Sequence, residues 1–580
     1  MDKFAIAAAL QEIGTLLELK GSEYFKARAY RNGARAVAEL SEDVGKLIKE
    51  NRLTFVKGIG YALAKQIEEL YNNGESSFLT NLRAELPPGI IELANVPGLT
   101  VKKIAQLHDV LGITILEQLK AAAAAGKVRD VKGFGAKTEQ KLLAALAGHK
   151  NQERRIHLHH ARRAGERILE YLGTAPGFVE GELAGSLRRS KEMVSEVIVV
   201  ASAKTPKRLI DRFVGFPLVT RVVEQTPQYC SAILSAGFKA TLFAVKPEEF
   251  PAVLMQATGS EAHLKKLEQV AAKQKLRLTT RGVENLTRGR AGNKARAQVI
   301  RTKSESEIYD RLGMQYVPPE LREDEGEIEA ASKGMLPEDL VTTDDIRGMV
   351  HCHTTYSDGK HSVAQMVYAA EAMGMKYITI TDHSPTAFYA GGVKIDRLQR
   401  QWEEIEQVQE QTKIKILKGT ESDILKDGSL DYPDWILEQF DVIVASIHSR
   451  YQMNEDQMTR RLVTAMRQPV FKIWGHALGR LIEKRPPFDC RVEEILDVIA
   501  ESRAAIEING DPYRLDMEPH WLRKAHERKI KFVISTDAHS TGALDNVKYG
   551  VGIARRGWLQ RGEVLNTLGV KAFQKAVRPG

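Results

Sequence analysis

In the carboxyl-terminal part of the chain, imidazoles and carboxylates recur at the ends of short apolar runs. The run G-M-V delivers His351 and His353, two residues apart, so both rings are expected on one face of a strand. Asp358 follows, just ahead of Gly359 in a turn. Y-I-T-I then ends in Thr-Asp382-His383 and I-K-I-L-K in Gly-Thr-Glu421. D-V-I-V-A ends in Ser-Ile-His448, V-F-K-I-W in Gly-His476, and I-K-F-V-I-S in Thr-Asp537-Ala-His539. Neutral imidazole and carboxylate are the ligands of Mn, Zn and Fe sites. One histidine beside one strand is ordinary. Ligands at successive strand carboxyl ends are how a barrel assembles a site. The positioning elements are therefore strands of a barrel. Cys352 alternates to the opposite face and His361 lies past the turn, so neither is counted.

The segments H-C-H…S-D-G, T-D-H-S, G-T-E-S-D-I, S-I-H-S-R, G-H-A-L-G-R, E-I-N-G-D-P-Y-R-L-D and T-D-A-H-S resemble, in order and spacing, the PHP (polymerase and histidinol phosphatase) domain. More narrowly, they resemble the PHP domain at the carboxyl end of bacterial family X DNA polymerases, over roughly residues 345–556. The resemblance implies a distorted (β/α)7-type barrel that hydrolyses phosphoesters. It also implies up to three bound ions, Mn²⁺ foremost, with Zn²⁺, Fe²⁺ or Mg²⁺ as alternatives. The implied metal ligands are His351, His353, Asp358, His383, Glu421, His448, His476, Asp537 and His539. His351, His353, Glu421 and Asp537 are the implied catalytic residues. Arg480 and Arg514, each just after a ligand-bearing strand, are candidates for gripping the scissile phosphate. Arg555 and Arg556 read either as phosphate contacts or as surface charge.

Upstream, A-G-S-L-R-R-S-K-E-M-V-S-E-V-I-V-V-A-S-A resembles that family's nucleotide-binding turn, Gly-Ser-x-Arg-Arg, and its catalytic strand. Gly185, Ser186 and Arg189 match the turn that would hold a triphosphate. The strand departs from the family's Gly-Asp-x-Asp, with Ser195, Glu196, Val197 and Ile198 in its place, and Thr241 stands where the third acid falls. Nucleotidyl transfer uses two divalent ions about 3.5–4 Å apart, held by carboxylates. Ile198 cannot ligate an ion and Thr241 offers only a hydroxyl. The expectation is a palm that keeps its shape, binds dNTP weakly at most, and has lost its polymerase chemistry. His157, His159 and His160 open a long helix and read as a solvated face.

Three stretches near the amino terminus share one layout: V-K-G-I-G-Y-A-L-A-K-Q-I (56–67), V-P-G-L-T-V-K-K-I-A-Q-L (96–107) and V-K-G-F-G-A-K-T-E-Q-K-L (131–142). Each sets an apolar residue before a glycine turn and then starts an amphipathic helix, aiming backbone N–H groups and a helix amino end at one spot. They resemble helix-hairpin-helix motifs, which grip DNA strands without reading sequence. The candidate DNA-binding residues are Gly58, Gly60, Gly98, Lys102, Gly133, Gly135 and Lys137, and the turns could also hold a monovalent cation. Thr100 takes the place of a second glycine in the middle copy. On the family's pattern for abasic-site cleavage, Gln66 falls where the nucleophilic lysine belongs. Lys65, one residue away, points about 100° around the helix. Weak or absent lyase activity follows.

At 580 residues the chain is long enough for several domains, and a formal charge of +9 suits a polyanionic partner. Three cysteines (Cys230, Cys352, Cys490) are too few and scattered for a disulfide frame. M-D-K-F-A-I-A-A-A-L opens an amphipathic helix rather than a signal peptide, and no apolar run reaches membrane length. A cytoplasmic, nucleoid-associated location is expected.

The fold expected is multidomain α+β. A helical helix-hairpin-helix region (1–85, then a fingers-like 86–150) precedes a polymerase-β-like palm (151–255) and thumb (256–318), a polar connection (319–344) and the PHP barrel (345–580). The expected activity is a metal-dependent 3′→5′ exonuclease acting on gapped, nicked or 3′-ended duplex DNA. The alternatives are a gap-filling polymerase with proofreading, a non-catalytic DNA-binding scaffold, and, more remotely, a small-molecule phosphatase.

Overall fold

The computed structural model describes residues 3–20, 24–38, 40, 44–56, 58–73, 76–85, 93, 96, 99–149, 155–234, 237–286 and 298–578. They form two compact units: Met1–Arg155 with Asp211–Thr226 and Cys230–Ala240, and Ile156–Ile210 with Pro227–Tyr229 and Thr241–Gly580.

The smaller unit is mainly helical. In helix Lys3–Leu19 the residues Ile6, Leu10, Ile13 and Leu17 recur at helical spacing and are all buried against helices Tyr24–Ala38 and Tyr61–Asn73. A second cluster joins Ile104, Leu107, Leu119, Val128 and Leu142 from helices Val101–Leu111, Leu116–Ala124 and Ala136–His149 and the turn before the last.

The three glycine turns are built alike. The carbonyl of the leading valine accepts from the amide three residues on: Val56 from Ile59, Val96 from Leu99, Val131 from Phe134. Gly58 and Gly133 have φ of +93° and +92°, which only glycine adopts without strain. Thr100 caps the middle helix, its side chain accepting from the Lys103 amide. Gly98 and Lys57 lie outside the described residues, as does the side chain of Lys137.

In the larger unit, strands Phe178–Ala184 and Glu196–Ala203 pair antiparallel and carry helix Leu158–Gly173 on one face. A buried cluster around Ala252, Leu267, Ile308 and Tyr309 follows. Residues 319–344, read from their polarity as a connection, belong to that cluster. Leu321, Ile328, Ala331, Leu336 and Leu340 pack into it, and Glu327 accepts from buried His263 at 2.6 Å. Arg322 and Glu327 of this segment are buried with it, so its polarity does not mark a solvated connection.

The rest is a barrel of seven parallel strands, each bonded to its neighbour in chain order: β1 Gly348–Cys352, β2 Tyr377–Ile380, β3 Lys415–Asp423, β4 Val442–Ser446, β5 Lys472–Trp474, β6 Ala504–Asn509 and β7 Lys531–Ser535. Val350, Leu417, Val444, Ile473, Ala505 and Val533 share one buried cluster with Phe573 and Val577 of the last helix. The strands are buried on both faces, so their apolar runs are nearly continuous.

Closure falls between β1 and β7, which are joined at two places. Past the strand ends, Ala538 donates to the His351 carbonyl at 3.1 Å and accepts from the His353 amide at 2.9 Å. Nearer the amino ends, the fully buried Asn566 side chain donates to the carbonyls of Gly348 (3.0 Å) and Ile534 (2.8 Å) and accepts from the Ile534 amide (3.0 Å). Asn566 thus replaces missing strand-to-strand bonds. Asn566→Leu, leaving these buried groups unpaired, is expected to destabilise the barrel by about 3 kcal/mol, roughly 6–12 °C in Tm. An unchanged melting temperature in the full-length protein would show that the seam closes without it.

Candidate metal centre

Six of the seven strands deliver side chains to one end of the barrel. His351 and His353 come from the end of β1 and Asp358 from the turn after it. His383 follows β2, Glu421 lies in β3, and His448 and His476 follow β4 and β5. Asp537 and His539 follow β7. The strand alternation expected for His351 and His353 is broken, because His351 has φ +63° and the β1–β2 register shifts beyond Met349. His476 (+26°) and Asp537 (+48°) are also in left-handed backbone, a strain typical of sites where geometry is over-determined by the surroundings. Gly359 is required by its turn: a Cβ there would lie 2.6 Å from the His353 backbone, so only glycine lets Asp358 close on the site.

The Glu421 carboxylate is the hub. It lies 2.8 Å from His476 Nε2, 2.9 Å from His383 Nδ1, 3.2 Å from His448 Nε2 and 3.3 Å from His351 Nε2. His353 Nε2 is 3.6 Å from Glu421 and 3.3 Å from Asp537 Oδ1. Asp358 Oδ1 is 3.2 Å from His539 Nε2 and 3.7 Å from His383 Nε2. Among the described residues, three groups have donor atoms close enough to hold an ion: His353, Asp358, His383 and His539; His351, His353 and Asp537; and His383, Glu421 and His448.

The chemistry of these donors fits metal. His351 Nε2, His353 Nε2, His383 Nδ1 and Glu421 Oε2 are buried without a hydrogen-bond partner, and such atoms normally have one. Burial and the neighbouring imidazoles hold His353 down at about 3, and burial with Arg514 lowers His476 to about 4; both rings are neutral and ready to ligate. Burial opposes charge on His448, but Glu421 and Asp423 outweigh it and raise it to about 9. Burial likewise opposes charge on Glu421 and Asp537, yet the histidines around them, with Arg514 beside Asp537, hold both carboxyls well below the usual range.

Several supporting residues were not among those singled out from the sequence. Glu507, in the middle of β6, accepts from His351 Nδ1 (2.5 Å), Ser535 Oγ (2.6 Å) and the His476 amide. Asp423 accepts from His448 Nδ1 at 2.6 Å. Asp382 ties down the loop of Asp358 by accepting from Thr354, Ser357 and Gln401. Each fixes a ring or a loop of the cluster.

Above them is a cleft of about 270 Å³ walled by Tyr389, Tyr451, Arg485 and Arg514. Arg514 Nε lies 3.2 Å from Asp537 Oδ2. Arg485, unmarked in the sequence, stacks 4.0 Å over the Tyr451 ring. Arg480 does not line the cleft. Its guanidinium is taken up by Glu192, Glu518 and the carbonyls of Arg514 and Leu515, which corrects its expected grip on phosphate. Arg555 and Arg556 are likewise engaged, with Glu320 and with Ser190 and Glu192. Nor are His157 and His159 a solvated face, for both rings pack edge-on against Tyr513.

In the palm, Thr241 Oγ1 donates to Glu196 Oε2 at 2.9 Å, and Ile198 fills the space beside Gly185, where a Cβ would meet it at 2.9 Å. Ser186 is half-buried, and its carbonyl accepts from the Lys191 amide. Arg189 is paired with Glu323 (2.8 Å) and the Thr258 carbonyl (2.7 Å). In the smaller unit, a Cβ at Gly60 or Gly135 would meet nothing within 4 Å, so these turns are open to an approaching backbone. Lys102 is exposed. Gln66 is held by Ser76 and Glu69.

Comparison with known proteins matches this layout. Residues 1–76 match a helix-hairpin-helix domain, 90–147 a SAM-like helix-hairpin-helix tandem, 253–323 the DNA polymerase beta thumb and 350–511 the PHP domain. The DNA polymerase/3′-5′ exonuclease PolX of Bacillus subtilis (strain 168) is 35% identical over 574 residues, covering 98% of each chain. A probable phosphatase of Thermoanaerobacter sp. (strain X514) is 27% identical over 234 residues, 37% of this chain and 89% of its own. One from Caldanaerobacter subterraneus subsp. tengcongensis is 30% identical over 206 residues, 33% and 74% respectively. Full-length similarity to one relative and barrel-length similarity to the others place the chain: it belongs to the family X DNA polymerases that carry a PHP domain.

Proposed function

We propose that this protein is a metal-dependent 3′→5′ DNA exonuclease working through its barrel, with polymerase activity lost from its palm. The observation that carries this reading is the set of partnerless buried donor atoms facing one another at the barrel mouth. The nine side chains named above would hold the ions, and their mix of imidazole and carboxylate suits manganese. What such ions supply when bound is Lewis acidity: a more acidic water and neutralised charge at the phosphoryl oxygens.

The chain's own residues do the rest. Arg514 and Arg485 present guanidinium groups to a phosphodiester in the cleft, Arg514 being oriented by Asp537. Glu507 fixes the ring of His351 by accepting from its Nδ1–H, which turns Nε2 toward the ligand cluster. Tyr389 and Tyr451 wall the cleft. The open turns at Gly58, Gly60, Gly133 and Gly135, with Lys102 and, by sequence, Gly98 and Lys137, would hold the duplex by its phosphates.

The palm reading rests on Ile198 and Thr241, which offer no carboxylate beside Glu196, and on Arg189, which is paired with Glu323 rather than open to a triphosphate. A second reading, a gap-filling polymerase with proofreading, is favoured by the printed name of the Bacillus subtilis relative.

A gapped duplex labelled at the 5′ end of the strand with the recessed 3′ end is expected to shorten with Mn²⁺ in the presence of all four dNTPs, and chelation should stop it. Asp537→Ala is expected to slow shortening by about 10²–10³-fold or more, and Glu196→Ala to leave it unchanged. Strand lengthening by a His351→Ala protein would overturn the loss of polymerase activity. Removing the partner of one ligand ring, as in Glu507→Ala, is expected to weaken Mn²⁺ binding about 10–100-fold. Isothermal titration of the purified protein measures this, and an unchanged Kd would remove Glu507 from the site.

A further inference from the structure

Arg480 is only 8% exposed and sits where the palm meets the barrel within the larger unit. Its Nε donates to the Arg514 carbonyl at 2.8 Å and its Nη2 to the Leu515 carbonyl. The same Nη2 lies 3.0 Å from Glu192 Oε1, while Nη1 lies 3.0 Å from Glu518. Glu192 belongs to the palm, in the turn that enters strand Glu196–Ala203. That turn is itself pressed on the barrel: Ser190, at φ +54°, is buried against Gly552, where a Cβ would lie 2.9 Å from its own, and Arg556 reaches its carbonyl.

A second palm contact falls on the same barrel loop. The rings of His157 and His159 stand 4.9 and 5.1 Å from Tyr513, edge-on, and His157 Nε2 is 3.3 Å from Glu483. Residues 513–515 are therefore held by palm rings at Tyr513 and, at Arg514 and Leu515, by Arg480, which the palm's Glu192 pairs; Arg514 is the residue that faces the cleft and Asp537. Leu515 has φ +44°, a conformation a leucine does not keep unaided. A buried guanidinium stays in one pose only while its donors have acceptors, and a carboxylate is the strongest of these.

We propose that the palm acts as a positioning element for the barrel's hydrolytic site, Glu192 holding Arg480 and through it the backbone that aims Arg514 into the cleft. The proposal rests on the exonuclease reading above. It gives the palm a task that needs no catalytic acids. Glu192 and Arg480 are positioning residues, since neither reaches the cleft.

The test measures kcat and KM for 3′-end shortening, with bound Mn²⁺, in the full-length protein. Glu192→Ala is expected to lower kcat about 10-fold, a modest displacement of a phosphate-holding group, with KM and metal content unchanged. Glu192→Gln, whose Oε1 still accepts from Arg480, should recover most of that loss. In an Arg514→Ala background Glu192→Ala should cost nothing further. Arg480→Gln breaks the same chain from the barrel side and should behave alike, which covers a Glu192→Ala protein that fails to fold.

A wild-type kcat in Glu192→Ala, a fall in metal content, or a loss that persists without Arg514 overturns the coupling alone. No shortening by the wild-type protein overturns the exonuclease reading and the coupling with it.

Discussion

A carboxylate buried among five imidazoles is the constraint on which the barrel turns. Glu421 lies within 3.6 Å of ring nitrogens from His351, His353, His383, His448 and His476, and it is almost wholly removed from water. A charge so placed is tolerated only when opposite charge or coordination surrounds it. Those rings come from the ends of four strands, and Asp537 and His539 add a fifth. No flat sheet brings its first strand to its last. The site therefore requires closure, and the β1–β7 seam supplies it through Ala538 at one level and Asn566 at another.

What could be read along the chain was what is local. A ligand at a strand end is marked by the apolar run before it, so His383, Glu421, His448, His476 and Asp537 stood out one by one, and the structure brings them together. Glu507 did not stand out, because a carboxylate inside an apolar strand has no local mark. Its purpose exists only once His351 arrives from the far side of the barrel. Arg480 and Arg514 had the same local setting and opposite fates, decided by Glu192 nearly three hundred residues upstream. Polarity hid the packing of Ile328, Ala331 and Leu336, where a helical count of the apolar positions would have shown it. The alternation that placed both histidines of β1 on one face ignored the left-handed residue between strand and loop.

The palm shows the converse. Its strands are held by Val197, Val199 and Val200, which are buried, and by antiparallel pairing. None of this involves a carboxylate. Clustered acids repel one another without a counter-ion, and Ile198 and Thr241 put no second carboxylate beside Glu196. Arg188 and Arg189, in the turn that resembles a triphosphate site, are instead paired with Glu305 and Glu323. The turn's cations are satisfied within the protein.

The barrel's ligand set and the palm's Glu196 and Arg189 thus differ in what they leave unsatisfied. In the barrel, five buried polar atoms of the described ligand set have no hydrogen-bond partner, and burial lowers two of the rings, His353 and His476. In the palm, Thr241 completes Glu196 and Glu323 completes Arg189. Unpaired buried polar atoms cost stability, and they persist in a fold only where something outside the chain completes them. By that measure the ligand set at the barrel mouth is built to take up ions. Their shared surface carries Glu192 with Arg480 and Arg556, and Arg555 with Glu320, as ion pairs that join the palm and the residues after it to the barrel.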